Sequence, residues 1–199
     1  MTALPPPMGE PFAGDSLLEK EVKRLISQYG IQSAVETGVH QGVTTRALAA
    51  LVPVVYAIEI NDGFYAESCE RLADVPNVQL IHGASQDVLP GLLPQLKGPA
   101  LYYLDAHWHG NYPLPQEVEI IALHDPQPVI VMHDMQVPGH PELSADPQPD
   151  GSLYSYEWVR PGLEKIRGPW RHYYNEAAEG LQIGVLFVVP DGPAAAGES

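Results

Sequence analysis

The stretch AVETGVHQGVTTRALAA, residues 34–50, leaves an apolar run at Val35, passes Glu36, Gly38 and Gly42, and continues with helical spacing. Glycines where a strand turns into a helix let backbone come close to a neighbour. The first N–H groups of the helix add an anion- or polar-ligand face. The dinucleotide-binding pattern G-x-G-x-x-G is not met. His40 stands at its middle glycine, and Val43 at its third, where a branched side chain crowds helix against sheet.

Working outward, the same strand-to-helix alternation recurs. Asp15-Ser16-Leu17-Leu18-Glu19 reads as a helix start, with Glu19 three residues after a capping Ser16, and Gly30 closes that helix. Apolar strands are expected over 31–35, 54–60, 78–81, 100–104 and 128–132. Helices are expected over 44–51, 61–72, 86–96 (interrupted near Pro90) and 115–123. Strands apolar on both faces suit a buried parallel sheet covered by helices. The pattern then breaks into a long loop, 136–155, rich in Pro, Asp, Gly and Ser, of the kind that is functional or mobile. A helix over 156–166 follows, and 170–175 with 181–189 pair as the last two strands. Ligands in such sheets bind beyond the carboxyl ends of the strands.

The bulk composition narrows the function classes. A chain of 199 residues makes one domain with a real core; residues 15–190 are read as that domain, 1–14 as a flexible proline-rich arm and 191–199 as a disordered tail. The formal net charge of −15, with ten scattered Lys and Arg, argues against a nucleic-acid partner. No apolar run reaches the ~18 residues of a membrane span, and the N-terminus lacks signal-peptide character. The single cysteine, Cys69, allows no intrachain disulfide and reads as a packing residue, so a reducing, cytoplasmic setting is expected.

Glu59 ends the second strand, about 23 residues beyond Glu36, where an acid can accept hydrogen bonds from both hydroxyls of a ribose. With this, the chain resembles the class I S-adenosylmethionine-dependent methyltransferases over roughly residues 31–189. VETGVHQG stands in the place of that family's E/D-x-G-x-G-x-G loop and AIEIND in the place of its acidic ribose-binding motif. IHGASQD follows the third strand and YYLDAHW the fourth, and the closing hairpin matches. The resemblance implies an α/β, Rossmann-like doubly wound sheet of the seven-stranded methyltransferase type, mostly parallel with a C-terminal antiparallel hairpin. It implies S-adenosylmethionine as cofactor, with Glu36, Gly38, His40 and Gly42 lining its methionine and ribose portion. Glu59 would hold the ribose, Ile60 would pack on adenine, Ala84 and Ser85 would meet the adenine edge, and Asp105 would face the methionine moiety. His40, where the family commonly has glycine, is the departure.

Asp105-Ala106-His107-Trp108-His109-Gly110-Asn111-Tyr112 follows the fourth strand, and His133-Asp134 the fifth. Neighbouring parallel strands end at one rim, so these groups converge. In one use, Asp105, His133 and Asp134 bind a divalent cation that holds a substrate hydroxyl and lowers its pKa. VIVMHDM is similar to the I-x-x-D-D segment of the sugar and macrolide O-methyltransferases, with His133 in place of the first aspartate, which favours Mn, Fe or Zn over Mg. In the other use, His107 or His133, beside Asp105, is a general base. Glu117 opens a helix directly after the histidine stretch and is expected to face the rim. Tyr154, Tyr156 and Trp158 either form a lid or anchor the long loop by packing.

The leading expectation is therefore methyl transfer to a hydroxyl, less readily an amine, of a small polar molecule. With no added substrate domain, only the arm, the long loop or a second subunit of a homodimer can cover the acceptor. The rival readings are a non-catalytic nucleoside-binding module and a metal-dependent enzyme of other chemistry, such as a hydroxylase, on the same rim.

Overall fold

The computed structural model describes residues 6–107, 112–148 and 150–192. Residues 1–5 of the expected arm, most of the expected tail, and Trp108, His109, Gly110 and Asn111 of the histidine-rich stretch lie outside them. Seven strands run β1 (Ser33–Thr37), β2 (Val54–Glu59), β3 (Val78–His82), β4 (Ala100–Leu104), β5 (Val129–Met132), β6 (Trp170–Tyr174) and β7 (Leu186–Pro190). They form one sheet in the order β3-β2-β1-β4-β5-β7-β6. β1 to β5 pair parallel, whereas β7 is antiparallel to both β5 and β6.

Among the described residues, six α-helices, α1 (Ser16–Tyr29), α2 (Val43–Ala49), α3 (Asp62–Arg71), α4 (Ser85–Leu92), α5 (Leu114–His124) and α6 (Tyr156–Leu163), accompany the sheet. Alternate residues of one strand feed two separate apolar cores, as a sheet covered on both faces requires. Val35, Tyr102 and Ile130 pack with Leu89 of α4, Val118 of α5 and Val159 of α6. Ala34, Leu101 and Tyr103 pack with Leu18, Val22 and Leu25 of α1 and Leu48 of α2.

Local chemistry shifts several expected boundaries. Asp15, not Ser16, caps α1: its carboxylate accepts from the N–H groups of Leu17 and Leu18 at 2.9 and 3.1 Å. The Ser16 hydroxyl donates to Glu179 instead. Phe12, within the expected arm, is fully buried, edge-on to Tyr103 with ring centroids 5.9 Å apart. The last strand begins at Leu186 rather than Leu181. Gln182 takes a left-handed conformation (φ 54°); the Ser144 N–H donates to the Gln182 carbonyl and the Gly184 N–H to the Ser144 carbonyl, which ties residues 182–184 to the long loop. Cys69, expected to pack, is exposed. Among the described residues no helix is long and apolar enough to cross a membrane.

Candidate active site

The C-terminal ends of β1, β2, β4 and β5 border one cleft of about 930 Å³, at the upper end of the roughly 300–1,000 Å³ of small-molecule sites. Its first wall is the turn between β1 and α2. Gly38 has φ +82°, and a Cβ there would stand 2.4 Å from the carbonyl oxygen of Asp105. The close approach that calls for glycine is thus to the end of β4, a contact within the protein. Gly42 (φ +76°) caps α2, and its open side faces Leu72, at 2.9 Å from an added Cβ, so Gly42 does not line the cleft.

His40 keeps the left-handed backbone (φ 51°) that glycine would adopt most easily, and histidine is among the side chains that tolerate it. Its N–H donates to Glu59 Oε2 at 2.8 Å, its carbonyl accepts from Ser68, and its ring lies edge-on to Phe64 at 4.3 Å. The other oxygen of Glu59 accepts from the Asn61 N–H at 2.8 Å. Two backbone donors therefore fix this carboxylate at the cleft wall, and each oxygen keeps a lone pair for a ligand hydroxyl. Ile60, partly exposed, and Ser85, buried, line the same end; Ala84 lies between Gly83 and Ser85 without reaching the cleft.

Glu36, inside β1, is buried, and burial pushes its carboxyl up to about 8; Thr45 opposes the shift, while Asp105 and Glu59 add to it. One of its oxygens has no hydrogen-bond partner. Beneath the rim, Glu117 on α5 is buried completely, with both oxygens unpartnered. Burial lifts it to about 7. Ser85 and Thr37 lie near enough to oppose this but make no hydrogen bond of ordinary geometry with it. Glu117 does not face the cleft.

At the far end, Asp105, His133 and Asp134 converge. His133 Nδ1 lies 3.3 Å from Asp105 Oδ1 and 3.2 Å from Asp134 Oδ2, while its buried Nε2 has no partner. Burial works against the imidazolium, but the two carboxylates outweigh it and raise the His133 pKa. Burial raises Asp105, with His133 pulling the other way; for Asp134 burial is overcome by His133 and its pKa falls.

A residue without sequence signal completes a second group. Asp146, from the long loop, brings Oδ2 to 3.4 Å from His107 Nε2, whose Nδ1 is 3.8 Å from Asp134 Oδ2. The loop itself is pinned by backbone bonds from Asp146 N to Asp134 O and from Tyr154 N to Asp146 O. Its aromatic residues anchor it: Tyr154 is buried against Trp158 at 4.6 Å, and Tyr156 stacks on His172 at 4.3 Å. None of these three lines the cleft. The sequence also concealed the contribution of Met8, Gly14 and Leu181 to its mouth.

No family model and no curated protein matches the chain. Solved structures do. The O-methyltransferase TomG from Streptomyces achromogenes, in complex with S-adenosylmethionine and involved in tomaymycin synthesis, is 20% identical with a TM-score of 0.66, over 89% of this chain and 81% of that one. An O-methyltransferase from Bacillus cereus in complex with S-adenosylhomocysteine is 17% identical, TM-score 0.64, over 88% and 81%. CalS10 from Micromonospora echinaspora, an amino pentose methyltransferase of calicheamicin biosynthesis with S-adenosylmethionine bound, is 14% identical, TM-score 0.61, over 87% and 90%. At such identities the likeness is one of architecture, and the chain has the seven-stranded, Rossmann-like fold of these methyltransferases.

Proposed function

We propose that the chain is an S-adenosylmethionine-dependent methyltransferase acting on a hydroxyl of a small polar molecule. The observation that carries this reading is the layout of the cleft: a carboxylate fixed for sugar hydroxyls at one end, and an acid–histidine–acid group at the other. The cofactors bound to TomG and to the Bacillus cereus enzyme support it. The residues fit the cofactor. Glu59 presents free lone pairs to the ribose, Ile60 and Ser85 lie at the adenine end, and Glu36 holds an unpartnered oxygen in the wall.

When bound, S-adenosylmethionine would supply an electrophilic methyl group. The protein's share is then orientation and proton management. Asp105 opens on the cleft, and its raised pKa makes it a stronger base than a surface aspartate. His133 Nδ1 holds one oxygen of Asp105, leaving the other to take the proton of the acceptor hydroxyl. Asp134 Oδ2, 3.2 Å from the same Nδ1, helps to hold His133 in its charged form. A divalent cation at this rim would add to the acidity of the acceptor.

Calorimetric titration with S-adenosylmethionine and S-adenosylhomocysteine tests the reading. Micromolar binding is expected, weakened roughly 10- to 100-fold in Glu59→Gln by loss of charged hydrogen bonds. If neither ligand binds at about 1 mM, the methyltransferase reading is lost.

A further inference from the structure

The cleft wall carries six carboxyl side chains, Glu10, Glu36, Glu59, Asp105, Asp134 and Asp146. All ten lysines and arginines of the chain lie among the described residues, and none of them borders the cleft. His133 offsets one of the six charges, because Asp105 and Asp134 hold it as an imidazolium. The excess reaches deep into the wall. Glu36 is 2% exposed and keeps one oxygen without a partner; burial resists its ionisation, and Asp105 and Glu59 add to that resistance.

Two of the acids stand outside the sheet, at the mouth. Glu10 comes from the N-terminal arm. Its Oε2 lies over Gly14, 3.4 Å from the place of an added Cβ, and the Cα of Gly180 lies 3.6 Å from the same point. Asp146 comes from the long loop, which a parallel backbone bridge between Ser144 and Ile183 ties to that same segment. The Leu181 N–H donates to the Ala13 carbonyl at 3.2 Å and closes the frame. Asp146 Oδ2 has His107 Nε2 at 3.4 Å, longer than the roughly 2.7–2.9 Å of a charged hydrogen bond, so it stays open to a better donor.

The same frame presents apolar side chains. Met8 and Leu181 are 71% and 70% exposed, more than any other large hydrophobic residue in the described structure, and both line the cleft. Pro147 and Ile183 line it too. Apolar surface gathered at the lip of a cavity marks a place for an apolar ligand. A ligand bearing a carboxylate or phosphate would meet like charge there, with no basic side chain in the described wall to relieve it.

We propose that the mouth selects a cationic acceptor: an apolar skeleton held by Leu181 and Ile183, with a protonated amine at Glu10 and Asp146 and its hydroxyl directed inward to Asp105. An alkylamine, with a pKa near the lysine value of about 10.4, carries that charge at neutral pH. That this ligand is the methyl acceptor rests on the methyltransferase reading, whereas its charge and its apolar body do not.

Three phenols of similar shape and different charge test the mouth: tyramine, 4-propylphenol and 3-(4-hydroxyphenyl)propionate. Each is titrated into the full chain by calorimetry, without methyl donor and with a chelator present, so that no metal ion contributes charge. The cation should bind roughly 10-fold or more tighter than the anion, with the neutral compound between them, and added salt should narrow the gap. Glu10→Gln combined with Asp146→Asn should bring the three together. Leu181→Ala should weaken all three alike and leave their order. Glu10 and Leu181 are exposed and Asp146 half-buried, and matching circular dichroism secures the fold of each variant. Equal or reversed affinities in the parent, a gap that survives the double variant, unchanged affinities in Leu181→Ala, or no binding of tyramine at about 10 mM overturns the assignment. Since no methyl donor is present, failure here leaves methyl transfer standing, and failure to bind S-adenosylmethionine leaves the selection of a cation standing.

Discussion

Glu117 sets a pH dependence that its position in the sequence conceals. An acid in the first turn of a helix is ordinarily an exposed partner of the helix dipole, yet here both oxygens are buried and unpartnered. Its pKa rises from an ordinary 4.5 to about 7 in the folded chain. Between those values the folded state keeps a proton that the unfolded state has released. Stability therefore falls as pH rises through that window, by about 1.4 kcal/mol per unit. Glu117→Gln preserves shape without a charge to bury. At pH 8 it should be more stable than the parent by on the order of 2 kcal/mol, or a few degrees in melting midpoint. At pH 5 the two should melt together, and a gap independent of pH in calorimetry would show that the carboxyl is not held neutral. The titration of Glu36, common to both proteins, cancels in the comparison.

The turn between β1 and α2 can be probed against an internal control. Gly38 and Gly139 have nearly the same φ, +82° and +83°, but only Gly38 has backbone within reach of an added Cβ. Gly139→Ala should cost about 1 kcal/mol, the strain of a left-handed residue alone. Gly38→Ala should cost roughly 2–4 kcal/mol, because the end of β4 must also shift. Equal urea midpoints for the two variants would refute the contact. That turn was legible because a strand ending in glycine before helical spacing has few alternatives. The same holds for the alternation up to β5, and for Glu59, Asp105, His133 and Asp134, since the ends of parallel strands share a rim. Leu181–Val185 was misread because an apolar run carries no mark of what it packs on; here it folds over the long loop. Asp146 was invisible because that loop has no period, and only its backbone bonds to Asp134 and Tyr154 decide where it stands.

At the scale of the molecule, the sheet is completed out of order. β7 lies between β5 and β6 and carries fully buried Leu186, Val188 and Val189. Removing it uncovers the edge of β5, with Val129, Ile130, Val131 and Met132 all apolar. A chain cut after Gly180 should therefore be recovered as aggregate, whereas one cut after Asp191 should remain dispersed, as light scattering would show. A monodisperse product from the shorter chain would mean that the first five strands are self-sufficient. The register that sets Met132 against Leu186 spans about 50 residues. At roughly 5–20 residues per second, β5 leaves the ribosome some 3–10 s before the strand that seals it. Each newly made molecule must spend that interval with its most adhesive edge bare, so in the cell its yield is set by how long that edge escapes capture.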